Sequence, residues 1–381
     1  AAIYATLSNS SIFSNNTINT TGNFSYGIEL QRSNFTNISS NTVNTTGNRS
    51  YALTMVTSSG NNLTENTVST QGASNTYAIN FTRSSSNLLQ GNNVRTQGTS
   101  SNYGIILFTS NSNNVTGNTI ITSGTTSYGI QADYFPSNIS SNNINTSGSS
   151  ADGIFLIEGP YISISSGRHS VLRNNINTSG NSADGITDSD TDGSNNILDN
   201  IILTTGSTAS GIILGSTGYQ NTITNNNIKT RGSTSHGISL SSAGRHTTSK
   251  NNINTTGSSA NGINGPSITQ WTIIEYNTVE VGANTGINVN IDNPTATSVV
   301  RNNNVTTASG SNYGIIFTST NINITSNNIT GRGGIFSGTA SLSGVNITEN
   351  KITTSLIGIL ISAATQSLHR IRENTIYVTG T

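Results

Sequence analysis

An asparagine returns at steps of 23 to 26 residues from one end of this chain to the other, broken by a single longer step of 32. The series runs Asn16, Asn41, Asn66, Asn92, Asn118 and Asn142. After the long step it continues through Asn174, Asn200, Asn226, Asn251, Asn277, Asn303, Asn327, Asn350 and Asn374. Two residues after each of these stands an Ile or Val, such as Ile18, Val94 or Ile253. Three residues before it there is usually another apolar side chain, such as Leu63, Val115 or Ile274. A repeat this short, with apolar residues at alternate positions, cannot bury a core alone. It has to stack on copies of itself, so the pattern predicts a solenoid.

Apolar residues make up 31% of the chain and charged residues 8%, with 39 Gly, 4 Pro, no Cys and a formal net charge of zero. So low an apolar share signals disorder when it accompanies high net charge and no periodicity, and here neither holds. A neutral chain offers no basic face for nucleic acid. No apolar run approaches the roughly 20 residues of a membrane-spanning helix. Without Cys there is neither a disulfide framework nor a thiolate metal site. An uncharged chain rich in Asn, Ser and Thr suits an extracellular or cell-surface location. Its sequons, such as Asn114-Val115-Thr116, are about as frequent as chance gives.

One repeat shows how a coil is built. Asn92-Asn93-Val94-Arg95-Thr96-Gln97-Gly98 reads as a short strand with Val94 and Thr96 on one face. Tyr103-Gly104-Ile105-Ile106-Leu107 reads as a second, and a third carries Val115 before the turn at Asn118. Three strands of period two per repeat predict an all-β parallel β-helix over residues 1–381, with about 15 coils and one domain. Coils stacked ~4.8 Å apart turn each repeated position into a ladder of like side chains. A stacked Asn donates its amide to the next carbonyl, satisfies turn backbone and tolerates left-handed geometry. Columns of Thr (Thr96, Thr122, Thr146) and Gly (Gly98, Gly124, Gly148) run beside it and read as structural. The coils resemble the parallel β-helix repeats of pectin-degrading enzymes, NosD-like copper-processing proteins and many surface proteins. That resemblance implies a single-stranded right-handed helix and leaves the activity open.

Function is sought where the ladder breaks. The long step holds a small loop insertion around residues 157–170, with Glu158-Gly159-Pro160-Tyr161 and Gly167-Arg168-His169. Further on, Asp188-Ser189-Asp190-Thr191-Asp192-Gly193-Ser194, with Asp199 at the twelfth position, has the spacing of a calcium loop. Asp188, Asp190, Asp192, Ser194 and Asp199 are its candidate ligands, and an ordinary solvated acidic turn is the alternative. Asp188 aligns with the core-facing Leu156 and Leu214, so either the strand bulges there or a cation neutralises the carboxylate. The position before the second strand runs Tyr26, Tyr51, Tyr77, Tyr103, Tyr128, and then Asp152, Asp184, Ser210, His236. Five stacked tyrosines form either a carbohydrate-binding face or plain aromatic support for the ladder.

Ser182-Ala183-Asp184-Gly185 and Ser235-His236-Gly237 resemble motifs of polygalacturonases. The resemblance makes Asp152, Asp184 and His236 candidate catalytic residues for polysaccharide hydrolysis or lysis. The adjacent carboxylate pair and the Arg-Ile-Lys motif of that family are missing. Four His, one Met and no Cys leave little for copper. The chain opens within a second strand and ends within a first strand, with no capping helix. An uncovered coil edge invites stacking. The favoured expectation is therefore a structural or adhesive surface protein that joins end to end with copies of itself, or one stretch of a longer surface solenoid. The alternative is a polysaccharide-binding or polysaccharide-degrading β-helix.

Overall fold

A computed structural model describes every residue except 134, 158–167, 190–193, 216–219, 243–244, 269–270, 292–296, 309–312, 339–340, 363–364 and 381. Among the described residues every regular element is a β-strand. They group into two compact units, residues 1–195 and 196–381. Each unit is a stack of parallel coils with three strands per coil.

In the first unit a representative coil comprises Asn93–Ser100, Ile105–Phe108 and Asn114–Thr116. Each strand pairs in parallel with its counterpart one coil on: Val94 with Ile120, Ile105 with Ile130, Val115 with Ile139. In the second unit Asn252–Thr255, Ile263–Ile268 and Thr272–Glu275 do the same, pairing Ile253 with Val279, Ile263 with Ile287 and Ile274 with Val300. The fold class is thus a parallel β-solenoid, as the repeat predicts. It has about 13 turns, slightly fewer than the 15 coils expected. Core packing follows from the alternation: Val94, Ile105, Leu107 and Val115 are all fully buried. Each coil buries only a few side chains, so its stability comes from stacking.

The Asn column runs along a buried corner of both units. Asn66 illustrates the bonding. Its backbone N–H and its side-chain Nδ2 both donate to Asn92 Oδ1, each at 3.0 Å. Nδ2 also donates at 2.8 Å to the carbonyl of Ile38, on the coil before. The pattern repeats at Asn92, Asn118 and Asn142 in the first unit and at Asn226, Asn251 and Asn277 in the second. One buried amide therefore satisfies groups on three consecutive coils.

One expectation is corrected here. The left-handed residue at the corner is not the ladder Asn but the residue before it. Glu65, Ser141, Asp199, Lys250 and Tyr276 all have φ between 55° and 58° there. Any side chain is admitted because that position points to solvent, at roughly 1 kcal/mol of conformational cost. The Gly column has a different cause. A Cβ on Gly148 would collide with the carbonyl oxygen of Gly124, one coil back, so backbone meets backbone there. The Thr column closes local turns: Thr146 and Thr204 donate to the carbonyls of Ala151 and Ala209, each at 2.6 Å.

Further polar ladders escape the sequence reading because Ser and Asn are so common in this chain that their recurrence does not stand out. Ser33, Ser58, Ser84 and Ser110 each accept the backbone N–H of the preceding coil. Thr36, Asn61, Asn87 and Asn113 form another column on the same principle.

Two stability measurements test this account. Asn92→Ala strips the acceptor from both Asn66 donors and should cost on the order of 3 kcal/mol, read as a lower urea midpoint. Lys250→Gly relieves the corner φ and should raise the midpoint by about 0.5–1 kcal/mol.

Candidate functional site

The concave surface with the strongest site character lies on the first unit, over the outward face of the second strands. One wall is the first four members of the tyrosine column, Tyr26 to Tyr103. Tyr26, Tyr51, Tyr77, Tyr103 and Tyr128 stack in sequence, with ring centroids 4.9 to 5.1 Å apart and neighbouring planes within 19°. Phe155 extends the stack at 4.6 Å from Tyr128. The register brings Thr54, Asn80 and Ile106 into one outward row and Val56, Thr82 and Phe108 into the next. Thr54, Asn80 and Ile106 point outward yet are buried, because the wall rises beside them. The resulting groove has a volume of about 510 Å³, within the usual range for ligand sites.

The stacking determines what this wall can do. Rings packed face to face spend their π faces on one another and turn edges and hydroxyls outward. Packing of a sugar on a ring face is therefore closed along the wall, and hydrogen bonding by a row of phenols one coil apart is open. Burial pushes the Tyr51 hydroxyl up to about 12, reinforced by its Tyr77 and Tyr26 neighbours against the pull of Arg49. The other four tyrosines are raised as well, first of all by burial. All five remain donors at physiological pH.

Two carboxylates border the groove. Glu29 acts on Tyr26, and Asp133 acts on both Tyr77 and Tyr103, which places it across from the phenol row. Asp133 is 4% exposed. Its Oδ1 accepts a 2.8 Å hydrogen bond from Gln131 Nε2, and burial still pushes the carboxyl up to about 6 against that bond. The sequence reading missed Glu29 and Asp133 because neither belongs to a column of like residues.

The candidate catalytic residues are placed differently. Asp152 Oδ1 accepts the backbone N–H of Asp184 at 2.8 Å, one coil on. In the second unit His236 Nδ1 accepts the backbone N–H of Asn261 at 3.0 Å, and Asn261 Oδ1 accepts that of Thr285. Where the column stops being Tyr, its side chains bond the backbone of the next coil. Burial pushes Asp152 up to about 6 and lowers His236.

Of the calcium-type run, residues 190–193 lie outside the described residues. Asp188 stays in register with Leu156, without a bulge, and is fully buried. Its Oδ2 accepts from Asn195 Nδ2 at 3.1 Å, so an amide meets the carboxyl group in the core slot. Asp199 accepts from Asn225 Nδ2 at 2.5 Å, and Ser194 is half-buried. Among the described residues no group of three or more His, Cys, Asp or Glu is arranged to hold a metal ion. Most of the insertion also lies outside the described residues. Near its end His169 is buried, and its Nδ1 accepts from the backbone of Ser137 at 3.3 Å.

Comparison with known proteins adds three findings. The model of the NosD family, described as a periplasmic copper-binding protein, matches residues 1–125. The whole chain superposes on a structure from the Vag8–C1 inhibitor complex with a TM-score of 0.66, at 14% identity and 98% coverage of both chains. A mutant tailspike protein of E. coli bacteriophage HK620, solved with a hexasaccharide, matches 85% of this chain and 66% of its own, with a TM-score of 0.56 at 11% identity. The chain is a parallel β-helix protein. No curated sequence matches this β-helix significantly. Copper does not fit the stretch that resembles NosD. Residues 1–125 contain no His and no Cys, and their one Met, Met55, is fully buried in the core.

The buried titratable groups predict opposite pH responses. A carboxyl raised in the fold holds its proton to higher pH than in the unfolded chain. The stability from Asp133 and Asp152 is therefore full below about 3.8 and lost as pH rises through about 6. His246 in the second unit has both ring nitrogens buried without hydrogen-bond partners, and burial lowers it to about 4. Its contribution is full above 6.5 and lost as pH falls through about 4. Urea midpoints across pH 4 to 7 should show His246→Asn removing an acid-side loss on the order of 3 kcal/mol. Asp152→Asn should flatten the opposite slope.

Proposed function

We propose that this β-helix works outside the cytoplasm, on or near a cell surface, and binds an extended glycan along the tyrosine groove of its first unit. The observation that carries the reading is the phenol row: one hydroxyl donor per coil, evenly spaced, above a partly apolar floor. A polymer of like units offers acceptors at regular intervals, which such a row can meet repeatedly. The tailspike of similar fold was solved with a hexasaccharide, which supports a long sugar chain lying on coils of this type. An address outside the cytoplasm draws support from the periplasmic description of the matching family and from the uncharged, Asn/Ser/Thr-rich composition.

Binding is favoured over cleavage by the spacing of the acids. Glu29 and Asp133 stand four coils apart, roughly 19 Å at the usual strand spacing. Glycoside hydrolysis needs its two carboxyl groups within about 10 Å. Asp152, nearer the end of the groove, spends an oxygen on the Asp184 backbone.

A panel of soluble polysaccharides in affinity electrophoresis tests the proposal. Retardation by at least one glycan is expected, weakened at least tenfold by Tyr77→Ala and less by Tyr77→Phe, which keeps the stack and removes one donor. No retardation by any glycan, or full binding by Tyr77→Ala, defeats it.

A further inference from the structure

The charge distribution in the groove, taken with the proposed glycan binding on which this inference rests, narrows the ligand class. We propose that the glycan carries protonated amino groups, as a glucosamine polymer does.

Among the described residues lining the groove there is no Lys, Arg or His, whereas Glu29 and Asp133 are both there. Arg49 acts on Tyr51 from outside the lining, and its guanidinium sits over the Phe24 ring at 5.6 Å from the centroid. A uronate chain would bring its carboxylates against Glu29 and Asp133 with no cation to offset them, which costs affinity. An ammonium group would do the reverse.

Asp133 makes the stronger case. It is almost fully buried, yet it lines the groove and receives its side-chain hydrogen bond from a neutral amide. A desolvated carboxylate held this way is costly unless a positive charge meets it. The elevated affinity of Asp133 for its proton is the sign of that deficit in the free protein. A ligand ammonium in the groove supplies the missing charge through a charge-assisted hydrogen bond.

A lysine-rich peptide offers the same charge, but the groove is poorly made for it. Extended peptides bind sheets mainly through an unpaired strand edge, and the backbone beneath this groove is already paired coil to coil, as in Ile79–Thr82 between its two neighbours. Peptide residues also repeat at about 3.3–3.4 Å, out of step with rings 4.9 to 5.1 Å apart.

Calorimetric titration of the full chain at pH 6.5 separates the alternatives. The probes are a glucosamine oligosaccharide, its N-acetylated counterpart, an oligogalacturonate and an oligolysine. The glucosamine oligosaccharide should bind at least tenfold tighter than the other three. Asp133→Asn should weaken its binding at least tenfold, to near parity with the N-acetylated chain. Glu29→Gln, at a half-buried position in the groove, should reduce the preference in the same direction and covers the case that the buried substitution unfolds the coil. Binding of the N-acetylated chain or the oligogalacturonate as tightly as the amine overturns this inference and leaves the glycan groove standing. Binding of oligolysine alone, or of no probe by a folded chain that the wider polysaccharide panel also fails to retard, overturns both.

Discussion

The structure depends on one interaction, the hydrogen bonds between a side-chain amide and the coils on either side of it. A coil of this protein buries too little apolar surface to hold its shape, and the corner between its third and first strands would leave backbone donors and carbonyls stranded in the interior. Each ladder Asn meets that need three ways, accepting two bonds on Oδ1 and donating through Nδ2 both forward and back. Because each bond needs the next coil in register, the ladder ties corner geometry to stacking. It also explains how so polar a chain folds at all: the buried polar groups are paired with one another.

The candidate site is a by-product of the same stacking. Tyr26 to Tyr128 occupy one column because the repeat puts them there, and the coil spacing is close to the natural spacing of stacked rings. That coincidence makes a stiff wall at little entropic cost, with hydroxyls as its working surface. In the same column His236 and Asp152 turn to backbone N–H groups of the next coil. A column is therefore a slot that takes either an aromatic stack or a polar ladder.

Much of this was legible in advance. The recurrence of Asn with Ile or Val two residues later specifies corner and strand, and the apolar residue three before it specifies the third strand. The tyrosine column and the core alignment of Asp188 were legible too, since both follow from counting along a fixed period. The serine ladder and the column of Thr36, Asn61 and Asn87 were not, because in a chain so rich in Ser, Thr and Asn their recurrence does not show which of them turn inward to accept a backbone N–H. The left-handed corner was assigned one residue late, since a solvent-facing position with positive φ accepts Glu, Lys and Tyr as well as Asn.

By itself the sequence determined the period, the parallel strands, the inward faces and the identity of the stacked residues, because each depends only on which residue recurs where. Tertiary structure alone decided that the tyrosine faces are consumed by stacking, that Asp188 is met by Asn195, and that Glu29 and Asp133 share a groove with four phenols. These depend on distances between side chains on different coils and on how far solvent reaches between them. Periodicity along the chain carries no record of either.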